Sequence, residues 1–164
     1  MLRRVKKKAE DGVEGAKRTA LSLLACKENT ERELFEKLRD RGYAPEEATQ
    51  AVEYVKGKKY LDEERYYMRL VENAANTKLF GKTRILQEIR LKRFSAETVA
   101  KCAEKAFAEI DFEENCRRAL AKIYRGDKRK AAMALMRRGY GQNEIKAALS
   151  QFREEPFSDE TEEI

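Results

Sequence analysis

One pattern constrains this chain more than any other: three stretches come into register without gaps when Tyr43, Phe94 and Tyr140 are aligned. Ahead of these aromatics, Leu34, Phe35 and Leu38 match Ile85, Leu86 and Ile89, and then Ala131, Ala132 and Leu135. Behind them, Ala48, Ala51 and Val52 match Val99, Cys102 and Ala103, and then Ile145, Ala148 and Leu149. Apolar residues at i, i+3 and i+4 on both sides of one short connection describe two amphipathic helices joined by a tight turn. The aromatics lie 51 and 46 residues apart, a spacing typical of helical repeat arrays.

Each copy has a third helix upstream. The spacing predicts it from about Lys17 to Cys26 in the first copy, from about Asp62 in the second and from about Asp111 in the third. Thr30 and Glu33 form a capping-box pair, and Asp62, Ser95 and Asp111 suit N-caps. Pro45 suits a first helical turn, where its missing N–H needs no partner. Gly42 and Gly139 stand where a left-handed residue closes a helix; Arg93 holds that place in the middle copy and predicts strain or a different ending. The organisation expected is a basic extension over residues 1–15, three-helix repeats over 16–56, 57–108 and 109–152, and an acidic tail over 153–164, expected to be disordered. Modules of about 45 residues bury too little surface alone, so they should stack. The fold class is therefore all-α: three tandem three-helix, helix-turn-helix-like repeats in an elongated, curved array.

Several chemistries find no support. The chain has no histidine, no GxxxxGK[ST] loop and no GxGxxG fingerprint. Cys26, Cys102 and Cys116 form no CxxC and are expected to be small core residues of a reduced, cytoplasmic protein. The carboxylates follow helical charge patterns rather than a catalytic pair. No enzyme activity, cofactor or metal is expected. No apolar run is long enough for a membrane span, and Ala9-Glu10-Asp11-Gly12 replaces the apolar core that a signal peptide would have.

Charge is distributed unevenly. The net charge is +6, yet Phe152 to Ile164 carries six acids and one base, leaving +11 on the remainder. A basic body fits a polyanionic partner, nucleic acid first. The helix before each turn carries a face turned away from its own apolar stripe. That face holds Glu33, Glu36 and Asp40 in the first copy, Arg84, Gln87 and Leu91 in the second, and Lys130, Met133 and Arg137 in the third. Leu91 and Met133 are expected to pack on a neighbouring copy, or else to meet a partner. Lys82, Arg90, Lys92 and Arg93 surround the middle helix, and Lys128, Arg129 and Arg138 the last. The candidate binding surface comprises these basic residues with Arg84, Leu91, Lys130 and Arg137. The acidic tail either solvates the chain or shields that surface as an internal DNA mimic.

The segment Gly57-Lys58-Lys59-Tyr60-Leu61-Asp62-Glu63-Glu64-Arg65-Tyr66-Tyr67 resembles a signature of the RecX family. Gly81, Ile85, Glu88, Ile89 and Lys92 continue it, and Arg93-Phe94 departs from the family's Gly and branched apolar residue. Ala20-Leu21, Leu23-Leu24, Glu33-Leu34, Lys37-Leu38 and Gly42-Tyr43 resemble the family's opening pattern, and Arg137-Arg138-Gly139-Tyr140 its ending. The likeness covers about residues 16–151. It implies a regulator, in the main an inhibitor, of the RecA recombinase. Such a protein lies in the groove of the RecA–DNA filament and limits filament extension, ATP hydrolysis, strand exchange and co-protease activity. The partners implied are that filament and, weakly, single-stranded and secondarily double-stranded DNA, with the chain a monomer.

The alternative is a direct DNA-binding protein of helix-turn-helix type with no recombinase partner. Against it, Glu46, Glu47, Glu97 and Glu144 occupy the starts of the would-be recognition helices, where phosphates would repel them; Gln142 and Asn143 are exceptions.

Overall fold

The computed structural model describes residues 12–152; most of the basic extension and the whole acidic tail lie outside the described residues. Within them the chain forms helices α1 (Gly12–Cys26), α2 (Glu31–Asp40), α3 (Pro45–Gly57), α4 (Glu63–Glu72), α5 (Lys82–Lys92), α6 (Ala96–Ala108), α7 (Phe112–Ile123), α8 (Lys128–Arg137) and α9 (Gln142–Leu149). A single π turn, Asn73–Thr77, follows α4. No strand occurs among the described residues. The all-α, three-by-three reading holds, with α1 starting earlier than the sequence pattern predicted.

Local chemistry sets the ends. The Thr30 hydroxyl accepts from the Glu33 N–H at 3.1 Å, and the Glu33 carboxylate accepts from the Thr30 N–H at 3.1 Å. Asp62, Ser95, Asp111 and Asp127 each accept from a backbone N–H three residues on. The three turns after the second helices share one shape: Gly42 has φ 96°, Gly139 φ 92° and Arg93 φ 54°. Arg93 thus enters the left-handed region despite its Cβ, which costs about 1–2 kcal/mol.

By contacts the chain divides into two compact units. The first holds residues 12–73 and 87–109, the second residues 74–86 and 110–152. In the first, Ala16 and Ala20 of α1 share a core with Leu34, Leu38, Tyr43, Ala48, Ala51, Val52, Val55 and Leu61. Alanines on α1 and α3 let those helices pair closely, as α4 does with α6 and α7 with α9. Phe94 packs its ring 5.2 Å from Tyr66 and 5.1 Å from Tyr67. In the second unit, Leu79, Cys116, Ala119, Leu120, Ala131, Leu135, Tyr140, Ile145 and Ala148 form the core. The aligned aromatics Tyr43, Phe94 and Tyr140 are all buried. Cys102 and Cys116 are buried as expected, and burial pushes the Cys116 thiol up to about 11; Cys26 is exposed, because it ends α1 beyond the apolar stripe.

Successive modules meet through equivalent residues, each joint lying inside one unit. In the first unit the Thr30 hydroxyl donates to the Lys92 carbonyl at 2.8 Å. In the second unit the Gly81 N–H donates to the Arg138 carbonyl at 2.7 Å, and the Thr83 N–H to the Gly139 carbonyl at 3.3 Å. Thr30 aligns with Gly81, and Lys92 with Arg138. The start of one module's second helix therefore rests on the next module's turn, whose carbonyls accept from groups at that start.

The middle module needs extra chain to make its contact. Asp62 and Gly81 are 19 positions apart, whereas the equivalent Asp111 and Asp127 are 16 apart. The π turn and a left-handed, buried Leu79 (φ 56°) lie in the longer stretch and take up the excess. The Leu79 carbonyl accepts from the Tyr140 hydroxyl at 2.8 Å.

Candidate functional site

The structure sorts the candidate residues by what they already hold. In the first unit, Lys92 pairs with Glu33 at 3.3 Å and Arg93 with Glu36 at 2.7 Å. Burial pulls the Lys92 ammonium down, but Glu33 and then Tyr66 outweigh it and leave its pKa above the ordinary lysine value. The hydrogen bond from Arg32, opposed by burial and reinforced by the Arg93 charge, holds Glu36 below the usual carboxylate range. Glu33 and Glu36 of the α2 face read from the sequence as outward are thus turned to the joint, while Asp40 stays exposed. The helical wheel showed that this face points away from its own stripe but carried no information about what covers it.

Glu63 anchors the same joint, and sequence reasoning passed over it as one acid among many. It is 5% exposed and accepts from the Glu31 N–H at 2.7 Å, the Ser95 N–H at 3.0 Å and the Thr98 hydroxyl at 2.9 Å. One carboxylate therefore ties the starts of α2, α4 and α6. The signal available was the Asp62-Glu63-Glu64 run, where a helix start needs only one capping acid.

Arg90 and Leu91 lie beyond this joint. Both are exposed, and Leu91 is 80% exposed, so it does not pack on a neighbouring module as expected. The same holds in the second unit for Met133, 54% exposed, with Met136, unnoticed in the sequence, at 56%. Arg84, Gln87, Lys130 and Arg137 are exposed as well. Positions 84, 87 and 91 of α5 and 130, 133 and 137 of α8 are equivalent. Each trio sets two polar or basic residues beside a bare apolar side chain.

In the second unit Arg84 and Arg138 are braced. Arg84 stacks its guanidinium 4.1 Å from the Phe80 ring centroid, with the Lys78 ammonium 5.7 Å from the same ring. Arg138 donates to the Lys78 carbonyl at 3.0 Å. Lys82 and Thr83 border an open depression whose other side is Gly139, Gly141, Gln142, Asn143 and Glu144. Lys128, Arg129 and Lys130 form the first turn of α8, where the helix dipole disfavours cations. Lys130 is 86% exposed in its side chain and among the described residues pairs with Asp127, at 3.9 Å.

The acids at the third-helix starts have local duties. Glu47 accepts from the Ala44 N–H at 2.9 Å, Glu144 from the Gly141 N–H at 2.7 Å, and Glu97 pairs with Lys101 at 2.9 Å. Among the described residues no cluster of histidine, cysteine and carboxylate side chains could hold a metal ion, and no helix is long and apolar enough to cross a membrane.

Jointed three-helix modules with basic, partly apolar outer faces define a class: helical-repeat proteins that present their chemistry on surfaces rather than in a cleft. Comparison with known proteins gives the family. Residues 16–54 match the family model for the RecX first three-helix domain. The chain is 33% identical over 136 residues to the regulatory protein RecX of Xanthomonas campestris pv. campestris (strain B100), covering 79% of this chain and 82% of that protein. It is 32% identical over 130 residues to that of Trichlorobacter lovleyi, covering 74% and 84%. The crystal structure of RecX from Lactobacillus salivarius has the same fold, with TM-score 0.70 at 17% identity over 85% of this chain and 95% of that one. The crystal structure of another regulatory protein RecX agrees at TM-score 0.71 and 19% identity, over 84% and 73%. The chain belongs to the RecX family of regulatory proteins.

Proposed function

We propose that this chain regulates the RecA recombinase as an inhibitor. It lies in the groove of the RecA–DNA filament and limits filament extension, ATP hydrolysis, strand exchange and co-protease activity without catalysing a reaction itself. Family membership supports the partner. The observation that carries the mode of action is the unequal use of one helix face: it is spent on a joint in α2 and left open in α5 and α8. A guanidinium or ammonium beside a bare Leu91 or Met133 suits a protein surface with acidic and apolar patches, or phosphates beside one. Contacts of modest strength on linked modules reinforce one another through effective concentration.

Titrating the chain into a RecA ATPase assay on single-stranded DNA tests this. Inhibition is expected at or below equal amounts. The paired charge reversals Arg84→Glu and Lys130→Glu should raise the concentration needed by about tenfold with unchanged helicity. No inhibition by the intact chain would overturn the proposal. One observation favours direct DNA binding: Gln142 and Asn143, residue types that read bases, border the same depression as Lys82 and Thr83. On that reading the chain alone binds duplex DNA with a steep salt dependence and leaves the ATPase untouched.

A further inference from the structure

Phe80 is the centre of a cationic cluster that lies wholly within the second unit. Arg84 holds its guanidinium 4.1 Å from the centroid of the half-buried Phe80 ring, and the Lys78 ammonium stands 5.7 Å from the same centroid. Arg138 joins the group by donating to the Lys78 carbonyl at 3.0 Å. Among the described residues none of Lys78, Arg84 and Arg138 pairs with a carboxylate. The electron-rich ring steadies the two cations beside it but supplies no counter-charge. The cluster therefore keeps a local excess of positive charge that an incoming anion relieves.

Arg84 narrows the choice of anion. A guanidinium is planar; one side of this one is taken by Phe80, and the residue is exposed to solvent. A flat group held from below offers its other side to a second flat group. Nucleobases stack on aromatic rings and on guanidinium planes alike, and their phosphates run alongside. An acidic protein surface would answer the charges and leave the flat face unused. A duplex would bring phosphates, but its bases are stacked on one another and cannot reach Arg84. A mononucleotide would bring its phosphate at one end only, whereas the cations are spread over residues 78–84 and the end of α8.

We propose that Phe80 and Arg84 form a stacking platform for a base of single-stranded nucleic acid, with Lys78 and Arg138 holding phosphates beside it. The platform consists of side chains and does not depend on the dipole of α5. It needs no recombinase, so it stands apart from the RecA assignment, and it differs from duplex binding in requiring bare bases.

The test titrates the full-length chain into two labelled oligomers of equal length and phosphate count, an oligothymidylate and an abasic strand with the same backbone. Anisotropy should show the oligothymidylate bound at least about fivefold tighter. The ratio should survive added salt, which screens the phosphate contacts shared by both strands. Arg84→Lys keeps the charge and gives up the plane, so it should bring the ratio below about twofold. Phe80→Leu removes the ring beneath Arg84 and should do the same, with helicity checked by circular dichroism. Equal binding of the two strands by the intact chain would overturn the proposal, because phosphates alone would then account for the affinity. So would a ratio unchanged by Arg84→Lys, no binding of either strand at low salt, or tighter binding of a duplex of the same length. Polyglutamate binding as tightly as oligothymidylate would give the cluster to an acidic protein surface and also overturn it. No recombinase enters these measurements, so failure here and failure of the RecA assignment are separable.

Discussion

The two joints hold the same geometry with opposite chemistry. The one in the first unit is polar: a buried carboxylate, a hydroxyl and two ion pairs. The one in the second unit sets backbone closely against backbone, and the Arg138 and Tyr140 side chains add bonds to the Lys78 and Leu79 carbonyls. A Cβ placed at Gly81 would come within 2.2 Å of the Gly139 carbonyl carbon and oxygen, and one at Gly139 within 2.5 Å of the Arg84 nitrogen. A duplicated interface can thus diverge from steric to electrostatic control while its hydrogen bonds stay at equivalent positions. Adding atoms should damage the second joint, and removing atoms the first.

Gly81→Ala should be the most disruptive change. The methyl meets backbone and cannot be relieved by a rotamer shift, so the second unit should lose about 4 kcal/mol or more. Hydrogen exchange should report it as lost protection in α7–α9; full protection there would mean the joint yields more easily than its geometry indicates. Glu63→Ala should rank next, at about 2–3 kcal/mol, because it leaves the Glu31 and Ser95 N–H groups and the Thr98 hydroxyl without their acceptor. The loss should fall on amides of α2, α4 and α6. Arg93→Gly should be smallest and of opposite sign, a gain of about 1 kcal/mol in chemical denaturation, since it removes the left-handed strain. The ion pair it gives up is exposed to water and offers little in compensation. A loss of stability would show that the polar joint depends on Arg93 more than its exposure implies.

The module pattern was legible because burial imposes periodicity. Leu34, Leu38, Ile85, Ile89 and Leu135 fell on their core faces, and Arg93, standing where Gly42 and Gly139 stand, pointed to strain or a different ending, of which the structure has the strained left-handed turn. The joints were not legible. Glu33 and Glu36 look like solvated helix charges in a sequence, and whether such a residue meets water or another module depends on packing between elements distant in the chain. Leu91 and Met133 differ in the reverse direction: apolar character suggested a neighbouring copy, and among the described residues both stay exposed. The candidate surface is therefore only partly foreshadowed. Its charges were visible, and its division into residues held by joints and residues left open was not.

The carbonyls of Lys92 and Arg138 carry a consequence for how this architecture drifts through evolution. Every amino acid supplies a carbonyl, so a joint written in main-chain acceptors fixes the path of the chain while asking almost nothing of the side chains at those two sites. Such a fold can keep its shape as its wording changes, as the agreement with solved structures at 17% and 19% identity illustrates. The glycine pair is the exception, since its requirement is for the absence of a side chain. A search for remote relatives would do better to weight the spacing between helix starts and turns than the letters found there.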